Sequence, residues 1–153
     1  MNLYLIQHAE AVVKEQDPER PLSSKGLADI KKIAEFVAKN CHLGAEHILH
    51  SGKLRARQTA EILATELNVP TPLETDGLAP LDAPTIWAER LMARTENVIL
   101  VGHLPYMSKL ASTLLCGVSE TEVIYFQMGG MVALSREEKL WSLRWMIVPT
   151  ILP

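Results

Sequence analysis

Three short, uninterrupted apolar stretches stand out along the chain: Leu3 to Ile6, Ile48 to Leu49 with their flanks, and Val98 to Val101. Each is the length of a strand covered on both faces, as strands in parallel sheets are. Between them the apolar period lengthens to that of a helix. Leu27, Ile30, Ala34 and Val37 fall on one face after Ser23 and Ser24, and Ala56, Ala60, Leu63 and Leu67 do the same before Pro70. A shorter helix is expected around Ile86, Trp87 and Leu91. A fourth opens at Pro105, runs through Leu110, Ala111 and Leu114, and stops at Gly117. Beyond it the period drops to two. Trp141, Leu143, Trp145 and Ile147 alternate with Ser142, Arg144, Met146 and Val148, after a polar turn from Arg136 to Lys139. Strand followed by helix, repeated, predicts an α/β fold of three layers: a mostly parallel mixed sheet, helices on both faces, right-handed crossovers and a C-terminal antiparallel hairpin.

With 153 residues, 48% of them hydrophobic and 22% charged, the chain fits one domain spanning 1–153 with an ordinary apolar core. Fifteen Lys and Arg against eighteen Asp and Glu give a net charge of −3. That balance lacks the basic field expected of a nucleic-acid or anionic-membrane binder, so any anion site must be local. Cys41 and Cys116 lie far apart in no metal-binding spacing and are expected to be reduced, partly buried thiols. No apolar run approaches the roughly 20 residues needed to span a bilayer, and no signal-peptide pattern opens the chain. The expected compartment is the cytoplasm.

In open α/β sheets, ligands bind beyond the carboxyl ends of the strands. His8 follows the first apolar run, His50 and Ser51 the second, and His103 the Val98 to Val101 run by one glycine. Lys53, Arg55 and Arg57 stand in or near the first turn of the second helix, where free N–H groups and the dipole already favour an anion. Guanidinium groups at a helix N-terminus with imidazoles nearby make a phosphate cradle, because each guanidinium binds two oxygens and keeps its charge.

Four blocks in order, Leu5-Ile6-Gln7-His8-Ala9-Glu10, Arg20-Pro21-Leu22-Ser23, Ser51-Gly52-Lys53-Leu54-Arg55-Ala56-Arg57-Gln58-Thr59 and Gly102-His103-Leu104-Pro105, resemble the histidine phosphatase (phosphoglycerate-mutase-like) superfamily. The short chain with no large insertion is most similar to its small phosphohistidine phosphatase branch, the SixA type. The resemblance implies that His8 is the nucleophile that accepts a phosphoryl group and passes it to water. Arg20 and Arg55, with Gln7 and Ser51, would bind the phosphate, and His103 would complete the pocket and stabilise the group in transfer. It implies no metal and no cofactor. The implied partner is a phosphorylated protein, such as a histidine-containing phosphotransfer domain, or a small phosphoester. Neutral His8 is the reactive form, and cationic arginines lower its pKa in the right direction.

Three positions depart from the family pattern. Gln7 stands where the family has Arg. A charge-assisted hydrogen bond contributes about 1.5–3 kcal/mol against about 0.5–1.5 for a neutral one. The exchange therefore costs on the order of tenfold in phosphate or transition-state affinity, part of which Lys53 or Arg57 would offset. Ala9 replaces Gly, a mild change unless the backbone there needs a positive φ. Gly52 replaces a frequent Pro.

No acidic proton donor is evident; Glu74, Asp76 and Asp82 are candidates by location only. An imidazole leaving group needs a single proton and departs readily, so such an acid matters less than for an alcohol. His47 and His50, three apart on a strand, face opposite sides and do not make a zinc pair. His42 is expected in solvent, Lys53 and Arg57 on the surface, and Trp87, Trp141 and Trp145 in the core. The apolar tail from Trp145 to Pro153 either packs on the body or meets a second copy, leaving a monomer or weak dimer. Three functions follow in order of preference: a phosphohistidine phosphatase, a weakened phosphate-binding homologue, and a small phosphomonoesterase.

Overall fold

The computed structural model describes residues 1–153. Its elements run β1 (Asn2–Gln7), α1 (Ser24–Asn40), β2 (His47–His50), α2 (Leu54–Leu67), β3 (Leu73–Glu74), α3 (Pro84–Ala93), β4 (Val98–Gly102), α4 (Tyr106–Cys116), β5 (Met131–Glu137) and β6 (Leu140–Ile147). One six-stranded sheet has the order β3-β2-β4-β1-β5-β6. The first four strands of that order are parallel, and β5 and β6 add an antiparallel hairpin beside β1.

Alternation along the central strands divides the core in two. Tyr4, Ile6, Ile48, Ile99 and Val101 pack against Ile30, Ile33, Ala34 and Val37 of α1 and Ala56, Ala60 and Leu63 of α2. Leu3, Leu5, Leu49, Val98 and Leu100 face Trp87 and Leu91 of α3 and Tyr106, Leu110 and Ala111 of α4. The expected three layers are present. No helix is long and apolar enough to cross a membrane.

Several local expectations are corrected. Leu27 is 44% exposed rather than on the core face of α1. The helix instead approaches the loop after β1 through Gly26, where a Cβ would fall 2.0 Å from the Glu10 carbonyl oxygen. Such contact is open only to glycine. Cys116 is exposed and Cys41 half-buried.

The alternation read through β6 is broken by a bulge. Leu134 pairs with Leu143 but Ala133 with Trp145, so Arg144 is an extra residue. An inserted residue reverses which side chains face which layer. Trp141 therefore packs with the α3/α4 layer, whereas Trp145 and Ile147 join the α1/α2 layer. Leu143 is half-exposed.

Arg136 belongs to β5 and not to the turn, which is Glu138 and Lys139. Its guanidinium donates to the Leu91 and Arg94 carbonyls at the end of α3, joining the Arg94 amide that already bonds the Leu91 carbonyl. Tail residue Leu152 packs against the α1/α2 layer of the body.

Candidate active site

Register explains why distant residues meet. β1 and β4 are parallel neighbours with Gln7 opposite Gly102, so His8 and His103 emerge side by side at the carboxyl edge. The His8 amide donates to the Gly102 carbonyl (2.9 Å), and the two imidazole centroids are 4.9 Å apart. β2 flanks β4 on its other side, which brings Ser51 to His103: Ser51 Oγ lies 2.5 Å from His103 Nε2. The first turn of α2 supplies Arg55, whose Nε donates to His8 Nε2 at 3.2 Å.

Arg20 arrives from the loop between β1 and α1. That loop is tied down by an Ala11–Leu22 bridge and by the Val12 amide on the Pro21 carbonyl (2.9 Å). Arg20 itself adopts a left-handed backbone, φ 53°, and its Nε donates to the Val12 carbonyl at 3.1 Å. A non-glycine residue there is strained, and such strain persists only where surrounding contacts over-determine it.

The tautomer of His8 follows from its partners. Nδ1 lies 2.7 Å from the Ala9 carbonyl oxygen, which can only accept, so Nδ1 carries the proton. Nε2 is left as a lone pair facing Arg55. Burial, more than the Arg55 and Arg20 charges, lowers the His8 pKa to about 4. Burial again leads for His103, at about 3, followed by His8, Arg55, Lys53 and Arg20. Desolvation of the ring outweighs the arginines that the sequence points to. Both rings are neutral at pH 7.

The structure thus brings His8, His103, Ser51, Arg20 and Arg55 into one pocket. Gln7 does not join them. Its side chain lines a cleft of about 390 Å³ with Lys25, Leu104, Phe126 and Met128, and its Oε1 is buried without a partner. Lys53 and Arg57 are exposed, Arg57 beside Glu61 at 3.7 Å, while the Lys53 charge reaches His103.

Ala9 has a negative φ and packs its methyl group toward Gly129, so the departure from Gly carries no backbone strain. Gly52 has φ +82°, which proline cannot adopt, and Glu74 occupies the space a Cβ would take, with Oε1 2.5 Å away. Glu74 is therefore the acidic candidate beside the Ser51 loop. Asp76 is held by two bonds from Arg90, which keep its carboxyl below the usual range. Asp82 accepts from the Ala79 amide (2.8 Å).

Sequence reasoning missed Thr59. It is fully buried, accepts from the Ala9 amide (3.0 Å) and donates to the Arg55 carbonyl (2.7 Å). One hydroxyl thereby joins the loop after β1 to the helix turn that carries Arg55. The available signal was a hydroxyl residue four positions after Arg55 on the buried face of α2. His50 proves structural: it is buried, and its Nδ1 accepts from the Gly52 amide at 3.1 Å.

Residues 3–82 match the sequence model of the Histidine phosphatase superfamily (branch 1). An uncharacterized Picosynechococcus protein is 39% identical over 124 residues, covering 76% of this chain and 74% of its own. The phosphohistidine phosphatase SixA of Escherichia coli is 28% identical over 123 residues, 76% of each chain. A solved structure of the protein histidine phosphatase SixA complexed with tungstate superposes with a TM-score of 0.87 at 25% identity, covering 98% of both chains. On its sequence and its architecture together, the chain belongs to the histidine phosphatase superfamily, as a phosphatase of the small SixA type.

Proposed function

We propose that this chain hydrolyses phosphohistidine on a protein, by way of a phospho-His8 intermediate and without a metal ion. The observation that carries the reading is the His8 ring. With its proton committed to the Ala9 carbonyl, the Nε2 lone pair stands free of a proton at neutral pH, beside a guanidinium. A neutral nitrogen nucleophile next to fixed positive charge is what two-step phosphoryl transfer needs.

In the first step the Nε2 lone pair forms a bond to phosphorus as the bond from phosphorus to the substrate imidazole breaks. The departing imidazole takes up one proton from solvent water, while His8 keeps its own on Nδ1. Arg55 moves from Nε2 to an equatorial oxygen and Arg20 holds another, so the charge spread over the moving phosphoryl group meets charges already in place. In the second step water attacks phospho-His8, the phosphorus–nitrogen bond breaks, and inorganic phosphate leaves with neutral His8 restored. The guanidinium groups supply the positive charge that a divalent cation supplies in other phosphatases. A phosphotransfer domain is the partner this chemistry suits, and the kinship with a phosphohistidine phosphatase supports that choice.

The test is a brief reaction with phosphoramidate in the presence of chelator. An acid-labile, alkali-stable label should appear on the wild-type protein and be absent from His8→Ala. A label that persists in the variant refutes the assignment. Phosphate release from a phosphohistidine-bearing protein should exceed release from small phosphomonoesters; the reverse order would favour a small phosphoester substrate.

A second reading rests on Gln7. Its neutral amide, with Oε1 unpartnered, is a weaker anion ligand than a guanidinium. Under that reading phosphate binds without turnover, and chelator-resistant hydrolysis of an activated phosphomonoester eliminates it.

A further inference from the structure

The two nitrogens of His103 have different fates. The ring is 2% exposed; Nε2 is 2.5 Å from Ser51 Oγ, and Nδ1 is buried with no partner in the protein. Ser51 Oγ makes no other hydrogen bond. The charged groups around the ring, Arg55, Lys53 and Arg20, are all cationic, and none provides an acceptor for a ring proton. A neutral imidazole has one N–H and one lone pair. The ring lies beside His8, 4.9 Å between centroids, so a phosphoryl group on His8 would stand next to it; for Nδ1 to donate to one of its oxygens, the ring proton must be on Nδ1 and not on Nε2.

We propose that Ser51 is a positioning residue and not a phosphate ligand: its hydroxyl donates to His103 Nε2 and keeps the ring proton on Nδ1, ready to be shared with a phosphoryl oxygen. The strand order supports this, because β4 lies between β2 and β1 and so sets His103 between Ser51 and His8. A hydroxyl that rotates to donate costs nothing in charge and leaves both Nδ1 and the two arginines for the oxyanion. The inference rests on the phosphatase reading given above.

Two measurements test it. The first needs no turnover. In protein labelled with ¹⁵N-histidine, long-range ¹H–¹⁵N spectra distinguish a protonated ring nitrogen from a bare one, and the signals lost in His103→Asn identify this ring. Nδ1 should be protonated and Nε2 bare; a proton on Nε2 overturns the proposal.

The second is a double-mutant cycle. Ser51→Ala should lower kcat about tenfold, the equivalent of one neutral hydrogen bond, and Ser51→Thr should restore most of it. In His103→Asn, whose amide N–H stands in for Nδ1–H and cannot tautomerise, Ser51→Ala should cost nothing more. An equal loss in both backgrounds would mean that Ser51 touches the substrate directly, and the proposal fails. Should Ser51→Ala not fold, the wild-type spectrum still decides the tautomer. Failure of the phosphatase reading appears separately, as absence of phospho-His8 in the wild-type protein.

Discussion

Acidification should destabilise this fold well above the range in which carboxylates titrate, and two buried rings set the size of the effect. His8 and His103 have folded pKa values of about 4 and about 3, both below the ordinary 6.5. A depressed histidine pKa means that the unfolded chain takes up protons before the folded one does, so stability is lost as pH falls below 6.5. At pH 5 an unfolded ring lies 1.5 units under its pKa and is charged, while both folded rings remain mostly neutral. That difference is about 2 kcal/mol for each ring, or about 4 kcal/mol for the two, relative to pH 8. Typical domains have only about 5–15 kcal/mol in total. His50, lowered by burial, acts in the same direction. Depressed carboxylates such as Asp76 lose their contribution below this window.

Urea denaturation at pH 8 and at pH 5 measures the drop. His8→Gln and His103→Gln should each flatten it by about 2 kcal/mol, since glutamine has no proton to gain. A wild-type loss under about 1 kcal/mol, or variants that lose as much as the wild type, would refute the argument. The same lowered pKa would keep His8, the proposed nucleophile, neutral throughout that interval.

Other substitutions separate further causes. Gln7→Arg restores the cation and should tighten tungstate or phosphate binding about tenfold by calorimetry; unchanged affinity means Gln7 does not reach the anion. Arg20→Gly should be about 1 kcal/mol more stable than Arg20→Ala in urea, because only glycine relieves the left-handed backbone, and both should lose turnover. Equal stabilities would remove strain from the account of that loop. Gly52→Ala should cost about 1–2 kcal/mol through its positive φ. Adding Glu74→Ala should not recover the loss, and full recovery would point to the carboxylate contact instead.

The layers and most elements could be read from the sequence because burial imposes its own period. Fully covered strands leave runs such as Val98 to Val101, and helices leave apolar positions every three or four residues. The pocket was legible because parallel strands end at one edge, so a histidine after each must lie near the other. What the sequence did not disclose has no periodic trace. A single extra residue, Arg144, reverses the last strand, and alternation read straight through it assigns Trp141 and Trp145 to one face. Leu27 carries the apolar side chain, but it is the missing one at Gly26 that makes the close contact. Thr59 was hidden because its role lies in two hydrogen bonds to backbone groups distant in sequence or one turn away.

β1, the strand that leads into His8, is walled on one side by residues 98–102 and on the other by residues 131–135. That strand is thus enclosed only once two segments far along the chain from it have docked. A polypeptide interrupted before residue 131 lacks one wall of that strand, however well its helices form. Turnover therefore reports that the sheet has closed on both sides of that strand.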